Sequence, residues 1–146
     1  MIIPDINLLI YAYNDRDPHH QAAKAWWESC LNGSAPVGIP WIVSAGFIRI
    51  ITHPKVLRDP IESAAAIEIV KSWLEQPCVR ILNPSPDHAE HLFRFLTENG
   101  TAGNLTSDAQ LAAIAVEYQA TLYSNDSDFA RFTGLRWKNP PKANKS

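Results

Sequence analysis

The sequence predicts an α/β fold, a three-layer α/β/α domain with a short central parallel sheet. Short apolar runs of strand length alternate with longer helical segments, the pattern of a parallel sheet covered on both faces. Several aspartates also fall just after those runs, and open parallel sheets bind ligands outside the carboxyl ends of their strands, where the strand order reverses. At 146 residues the chain has the size of one domain, with ample apolar content and five tryptophans for a single core.

Taken in order, residues 1–4 read as a short buried strand running into Asp5. Residues 6–13 follow as a short helix, closed by the polar stretch 14–18. A second helix is expected from about His19 to Asn32, with Pro18 suited to its first turn and Gly33 just past its end. Residues 37–39 form the next candidate strand. Pro40 then opens a helix from Trp41 to about Thr52, which the dipeptide His53-Pro54 stops. Within residues 61–76, Ala65, Ile69, Val70, Trp73 and Leu74 make a helical stripe that Pro77 ends. Residues 79–82 are strand-like, residues 87–98 and 108–119 are helices, and residues 121–124 form a strand rich in β-formers. A brief helix is expected to include Phe129–Phe132. Residues 1–137 therefore make one domain, and Lys138–Ser146, with two prolines and three lysines, reads as a frayed tail. There is no internal repeat and no low-complexity segment.

A net charge of −2 does not announce a nucleic-acid binder, because phosphate binding needs local positive charge. A near-neutral total is nevertheless compatible with a segregated field, with acids clustered in a metal site and Arg16, Arg49, Lys55 and Arg58 around its rim. The longest apolar stretches are far too short to span a bilayer, and the N-terminus shows no secretory signal. Cys30 and Cys78 lie in no metal-ligand spacing and read as reduced, buried thiols of a cytoplasmic protein. Trp26, Trp27, Trp41 and Trp73 fit core or dimer packing better than base stacking. His88 and His91 share a helical face with ligand spacing but no third partner, which favours a solvated face; His19, His20 and His53 add little.

Four carboxylates, distant in sequence, fall at element ends that this architecture brings together: Asp5, Asp108, Asp126 and Asp128. Each has a plain local reading. Asp5 suits a helix cap, Asp108 the dipole of a helix start, and Asp126 and Asp128 a turn and cap. Their joint placement is better explained by a shared ion. Clustered like charges raise one another's pKa, a divalent cation removes that penalty, and oxygen-only ligands suit Mg²⁺ or Mn²⁺ rather than zinc. Such an ion lowers the pKa of a bound water and neutralises charge developing on a phosphate, the two needs of phosphodiester hydrolysis.

Residues 3–12, Ile-Pro-Asp-Ile-Asn-Leu-Leu-Ile-Tyr-Ala, resemble the opening strand and helix of PIN domains, where Asp-x-Asn/Ser-Val/Leu-Leu follows the first strand. Residues 105–115 resemble the family's second acidic motif, an Asp-Ala-x-Leu-Ala-Ala run on a helix. Residues 122–129 resemble the third, Thr/Ser-x-Asp-x-Asp-Phe. Each alone is weak, but the ordered set spans nearly the whole chain. Residues 38–41, with 47–50 and 52–54, further resemble a subgroup of VapC-like toxins common in mycobacteria. The resemblance implies Mg²⁺ or Mn²⁺ held by Asp5, Asp108 and Asp126, with Asp128 assisting, and Asn7 and Ser124 orienting the carboxylates by hydrogen bonds. It implies endonucleolytic cleavage of structured RNA of the transfer or ribosomal class, a homodimer, and a cognate VapB-like antitoxin laid across the cleft of this toxin. Leu31, Trp27 and Ile48 are the candidates for that antitoxin groove.

The sequence departs from the family pattern at one place. PIN domains usually carry a glutamate shortly before the Phe-x-Arg segment, and the aligned position here is Gly46. Glycine inside a helix costs about 1 kcal/mol relative to alanine, so it admits backbone or substrate, reflects a subgroup habit, or is an introduced change. It leaves the metal site one ligand short. Arg49, one turn on, is the candidate phosphate contact or salt-bridge partner. Two alternatives stand beside the nuclease. One is a PIN-like module that binds RNA or antitoxin without cutting. The other is a haloacid-dehalogenase-like phosphatase, disfavoured because Asn7 stands where its second aspartate belongs and no suitable lysine precedes Asp126.

Overall fold

The computed structural model describes residues 1–100 and 105–140. Strand β1 (Ile2–Pro4) leads into α1 (Ile6–Tyr13) and α2 (His20–Asn32); β2 (Val37–Pro40) leads into α3 (Trp41–Ile51) and α4 (Ser63–Leu74). Then come β3 (Val79–Leu82), α5 (His88–Asn99), α6 (Leu105–Glu117), β4 (Thr121–Tyr123), a 3-10 turn (Ser127–Arg131) and β5 (Arg136–Lys138). The five strands form one parallel sheet in the order β3-β2-β1-β4-β5. Helix α1 packs against both α2 and α3, α3 against α4, and α5 against α6, giving the expected α/β/α layers.

The chain runs outward from β1 in one direction to β2 and β3, and in the other to β4 and β5. The order therefore reverses between β1 and β4, and the crevice beyond their carboxyl ends is where such sheets place ligands. Pro4 and Pro40 close β1 and β2. Having no N–H to give a ladder, proline suits a strand's end. The next residue restores the pairing across the switch, where the Asp5 N–H donates to the Tyr123 carbonyl at 2.8 Å.

The core between sheet and helices is aromatic on one side. Trp73 meets Phe47 at 4.7 Å and Trp27 at 5.5 Å between ring centroids, both edge-on, and its Nε1 donates to the Tyr13 hydroxyl at 2.8 Å. Trp27 and Trp73 are thus core residues, as expected, whereas Trp41 is 52% exposed and takes no part in the core. The core reading of Trp41 is corrected: its place at the first position of α3 turns it away from the layers that enclose the other two. Trp27, 1% exposed, has no face left for a partner. Of the residues suggested for an antitoxin groove, Leu31 and Ile48 alone remain partly accessible. Cys30 and Cys78 are free thiols, both buried.

Strand β5 was not expected. Its three residues are exposed, half-buried and exposed, an edge strand too short to show alternation in sequence. Lys138 ends that strand, so the order extends past the expected boundary of the frayed tail; residues 141–146 lie outside the described residues. Helix α6 is already formed at Leu105, which puts Asp108 within its first turn rather than at its start. His88 and His91 do not form a solvated face. His88 Nδ1 lies 2.6 Å from Glu117 Oε2, and His91 Nδ1 is buried without a partner among the described residues.

Candidate active site

Asp5 follows β1 and caps α1, its Oδ1 accepting from the Ile6 N–H at 2.7 Å. The local cap reading is therefore correct as far as it goes. Its other oxygen serves a different purpose, accepting from Ser124 Oγ at 2.7 Å across the switch between β1 and β4. Ser124 is fully buried directly after β4, and its oxygen also accepts from the Asp126 N–H at 3.0 Å and from Asn7 Nδ2 at 3.3 Å. One hydroxyl thus ties together two of the three segments singled out in the sequence, residues 3–12 and 122–129. Because its single proton goes to Asp5, Asn7 must offer its N–H₂ to it. The Asn7 Oδ1 is then the atom left buried without a partner.

Asp126 caps the 3-10 turn, its Oδ1 accepting from the Asp128 N–H at 2.9 Å. Asp108 comes across from the first turn of α6. The Asp108 carboxyl is pushed up to about 6, first by burial and then by the charges of Asp5, Asp126 and Asp128, with Arg131 opposing. Burial likewise raises Asp5, outweighing its hydrogen bonds from Ser124 and Ile6, and Asp126 adds to the rise. Asp5, Asp126 and Asp128 therefore all lie within electrostatic reach of Asp108. Asp128 is the most exposed and sits 3.8 Å from the Arg131 guanidinium.

A cleft of about 330 Å³ opens beside this cluster, lined among others by Asp5, Ile6, Gly46, Arg49, Asp108 and Leu111. Arg49 is thus where a cation would meet a phosphate brought to the carboxylates. Arg16 is engaged elsewhere, paired with Asp59. A Cβ at position 46 would stand 2.3 Å from Ile6 Cδ1 and 3.1 Å from its Cγ1, so the end of the Ile6 side chain would have to turn aside for any larger residue. Ile6 fills the space into which a larger residue of α3 would reach, so the two positions are complementary across the α1–α3 contact.

The donor set suits a hard divalent cation in kind: carboxylates crowded together, two of them pushed toward protonation, and an amide oxygen left orphaned beside them. It is open in arrangement. Among the described residues no three acidic, histidine or cysteine side chains stand close enough to hold one ion together. The hydrogen bonds already made are no obstacle, since an ionised carboxylate offers about four lone-pair sites.

Several participants escaped sequence reasoning. Arg131, one turn beyond Asp128, faces it at 3.8 Å and opposes the rise at Asp108. Asn125 links the cluster to its surroundings, donating to the Tyr11 hydroxyl at 3.2 Å and accepting from Asn139 Nδ2 at 2.9 Å. Trp137 Nε1 donates to the Ser124 carbonyl at 3.0 Å, so the unexpected β5 braces the loop that carries the acids.

A family description, the PIN domain, matches residues 2–135. Ribonuclease VapC33 of Mycobacterium tuberculosis (strain ATCC 25618 / H37Rv) is 46% identical over 140 residues, covering 96% of this chain and 98% of its own length. Ribonuclease VapC37 of the same strain is 43% identical over 141 residues, covering 97% and 98%. Among solved structures, Mycobacterium tuberculosis VapC20, described as a sarcin-ricin loop cleaving toxin, superposes with a TM-score of 0.67 at 22% identity, covering 93% of this chain and 99% of its own. VapBC2 from Rickettsia felis, bound to a DNA fragment from its promoter, gives 0.69 at 19% identity, covering 95% and 98%. At those identities the structures bear on the fold alone.

Proposed function

The chain belongs to the PIN-domain family, among ribonucleases of the VapC type, and on that footing we propose that it is a metal-dependent endoribonuclease, the toxin of a VapBC-like pair, hydrolysing phosphodiester bonds in structured RNA of the transfer or ribosomal class. What supports the reading is that Ser124 ties Asp5 to the Asp126 backbone at the switch in strand order, with Asp108 lining the same cleft as Asp5. Asp5, Asp108 and Asp126 would hold Mg²⁺ or Mn²⁺ by closing in around it, since in the structure they do not yet stand close enough to share one ion, with Asp128 assisting. When bound, the ion supplies an activated water and positive charge for the phosphate.

The chain's own residues do the rest. Ser124 holds Asp5 by its hydroxyl and the Asp126 backbone by its oxygen, which limits the freedom of two carboxylates at once. Asn7 steadies Ser124. Arg49 on the cleft wall and Arg131 beside Asp128 offer the positive charge that an acidic cleft needs to receive a phosphate backbone. Regulation would come from a cognate VapB-like antitoxin, consistent with relatives solved as VapBC complexes. The chain would act as a homodimer in the cytoplasm, where its two buried thiols stay reduced. Among the described residues no helix is long and apolar enough to cross a membrane.

The test is incubation of purified protein with total RNA, with and without Mn²⁺, alongside Asp5→Asn. Fragments should appear with wild type and metal and be absent from the variant. Equal cleavage by both proteins points to contamination and removes the assignment. The binding-only alternative draws on Gly46, whose site is closed by Ile6; it predicts RNA retention without fragments in the same assay. The phosphatase alternative finds no support in these relatives.

A further inference from the structure

We propose that Trp41 and the cavity beside it form a base-stacking subsite that takes one unpaired nucleobase of the RNA strand entering the acidic cleft. The inference rests on the ribonuclease reading above and adds to it how the substrate is held. Trp41 is the first residue of α3, directly after the proline that closes β2, and so stands at the same sheet edge as Asp5. Its indole is half exposed and outside the core, while Trp27 and Trp73 are enclosed.

Next to it lies a cavity of about 240 Å³ whose walls include Pro40, Ile42, Leu82, His88 and Gln110. It neighbours the cleft across a shared wall. Ile42 lines both, and α6 presents Asp108 and Leu111 to the cleft and Gln110 to the cavity. A strand whose phosphate lies at the aspartates would seat a neighbouring base across that wall, in this pocket.

The chemistry of the walls favours a base over a phosphate or a cation. Among the described residues no acidic side chain lines the cavity, in contrast to the cleft. An indole face stacks on any base, since every base has a π-face. Gln110 carries donor and acceptor in one plane, the arrangement that reads a base edge. The His88 ring is held rather than free: its Nδ1 meets Glu117 Oε2 at 2.6 Å, and Glu117, its side chain 1% exposed, also accepts from the Ser85 N–H at 2.7 Å. That anchorage makes Nε2 the ring's second polar atom for a ligand. The volume is below the roughly 300–1,000 Å³ of pockets for drug-sized ligands, which suits one base better than a peptide helix.

The test uses the full chain carrying Asp5→Asn, which removes cleavage, in Mg²⁺, with fluorescein-labelled single-stranded RNA dodecamers bearing 2-aminopurine at successive positions. Trp41→Ala should weaken binding about tenfold and abolish the 2-aminopurine quenching, while Trp41→Phe retains most of both. Because Trp41 lies outside the core, the melting temperature should hold in both variants. Unchanged affinity and quenching in Trp41→Ala overturn the subsite and leave the nuclease reading intact. Loss of affinity accompanied by a fall in sedimentation mass also overturns it, assigning Trp41 to a contact between copies of the chain. If the Asp5→Asn parent holds no RNA and wild type cuts none, the ribonuclease reading itself has failed and the subsite falls with it.

Discussion

Gly46 and Ile6 are expected to behave as one unit in a double-mutant cycle. In Gly46→Ala the new Cβ would approach Ile6 Cδ1 to 2.3 Å, well inside contact distance. Overpacking of this kind costs about 1–3 kcal/mol, and the helix gains about 1 kcal/mol from replacing glycine. The net single-variant loss is therefore about 1 kcal/mol. Ile6→Val removes the offending Cδ1 and costs about 1 kcal/mol for the lost methyl. With that atom gone, the nearest contact is the former Cγ1 position at 3.1 Å, which a small shift accommodates. The double variant then keeps the helix gain without the clash, and its stability should return close to wild type. Two losses of about 1 kcal/mol each that combine to about zero give a coupling of about −2 kcal/mol. Urea unfolding of the four proteins measures it, and thermal melting repeats it at about 2–4 °C per kcal/mol for a chain of this size. Additivity within about 0.5 kcal/mol would refute the steric account of Gly46 and leave the missing glutamate without a structural reason.

Three further outcomes follow from the site. Asp108 is pushed up to about 6 from 3.8, chiefly by burial, so the folded protein keeps a proton that the unfolded chain releases between those values. Its stabilising contribution is complete below pH 3.8 and lost as pH rises through about 6. For a half-buried carboxyl the loss, discounted for solvent, is about 1 kcal/mol. Melting curves in EDTA should show this decline, with Mg²⁺ or Mn²⁺ reversing it by linkage; an identical pH slope in Asp108→Asn would remove the residue from the account. Ser124→Ala strips the partner from the Asp126 N–H and from Asn7 Nδ2. It should cost about 2 kcal/mol and lower RNA cleavage, an expectation that wild-type melting and cleavage would contradict. Glu117→Ala abandons His88 and the Ser85 N–H in a buried setting and should likewise cost about 2 kcal/mol in denaturant. A midpoint equal to wild type would mean the pair is dispensable.

Legibility differed by element in a physically consistent way. Helices α1 and α3 were readable almost to the residue because prolines, a capping aspartate and the His53-Pro54 stop mark their ends locally. Strand β5 was not, since three edge residues carry too little pattern. The four aspartates could be proposed from sequence because each follows a strand or lies near a helix start, positions that the chain order reveals. Arg131 was missed although it lies one turn from Asp128, a spacing that a search for helical ion pairs would have caught. The core half of the Trp41 reading failed because an aromatic next to a strand looks the same whether its ring turns inward or out.

Element order, element type and the choice of acidic residues were determined by the sequence alone, because propensity, periodicity and capping act over a few residues and are written where they act. The tertiary structure decided what those residues meet. Ser124 reaches Asp5 across 119 positions, Asn7 across 117, and His88 reaches Glu117 across 29. The space at Gly46 is filled by Ile6 from another helix. Such pairings depend on how helices pack over a particular strand order, and short-range patterns carry no record of the partner.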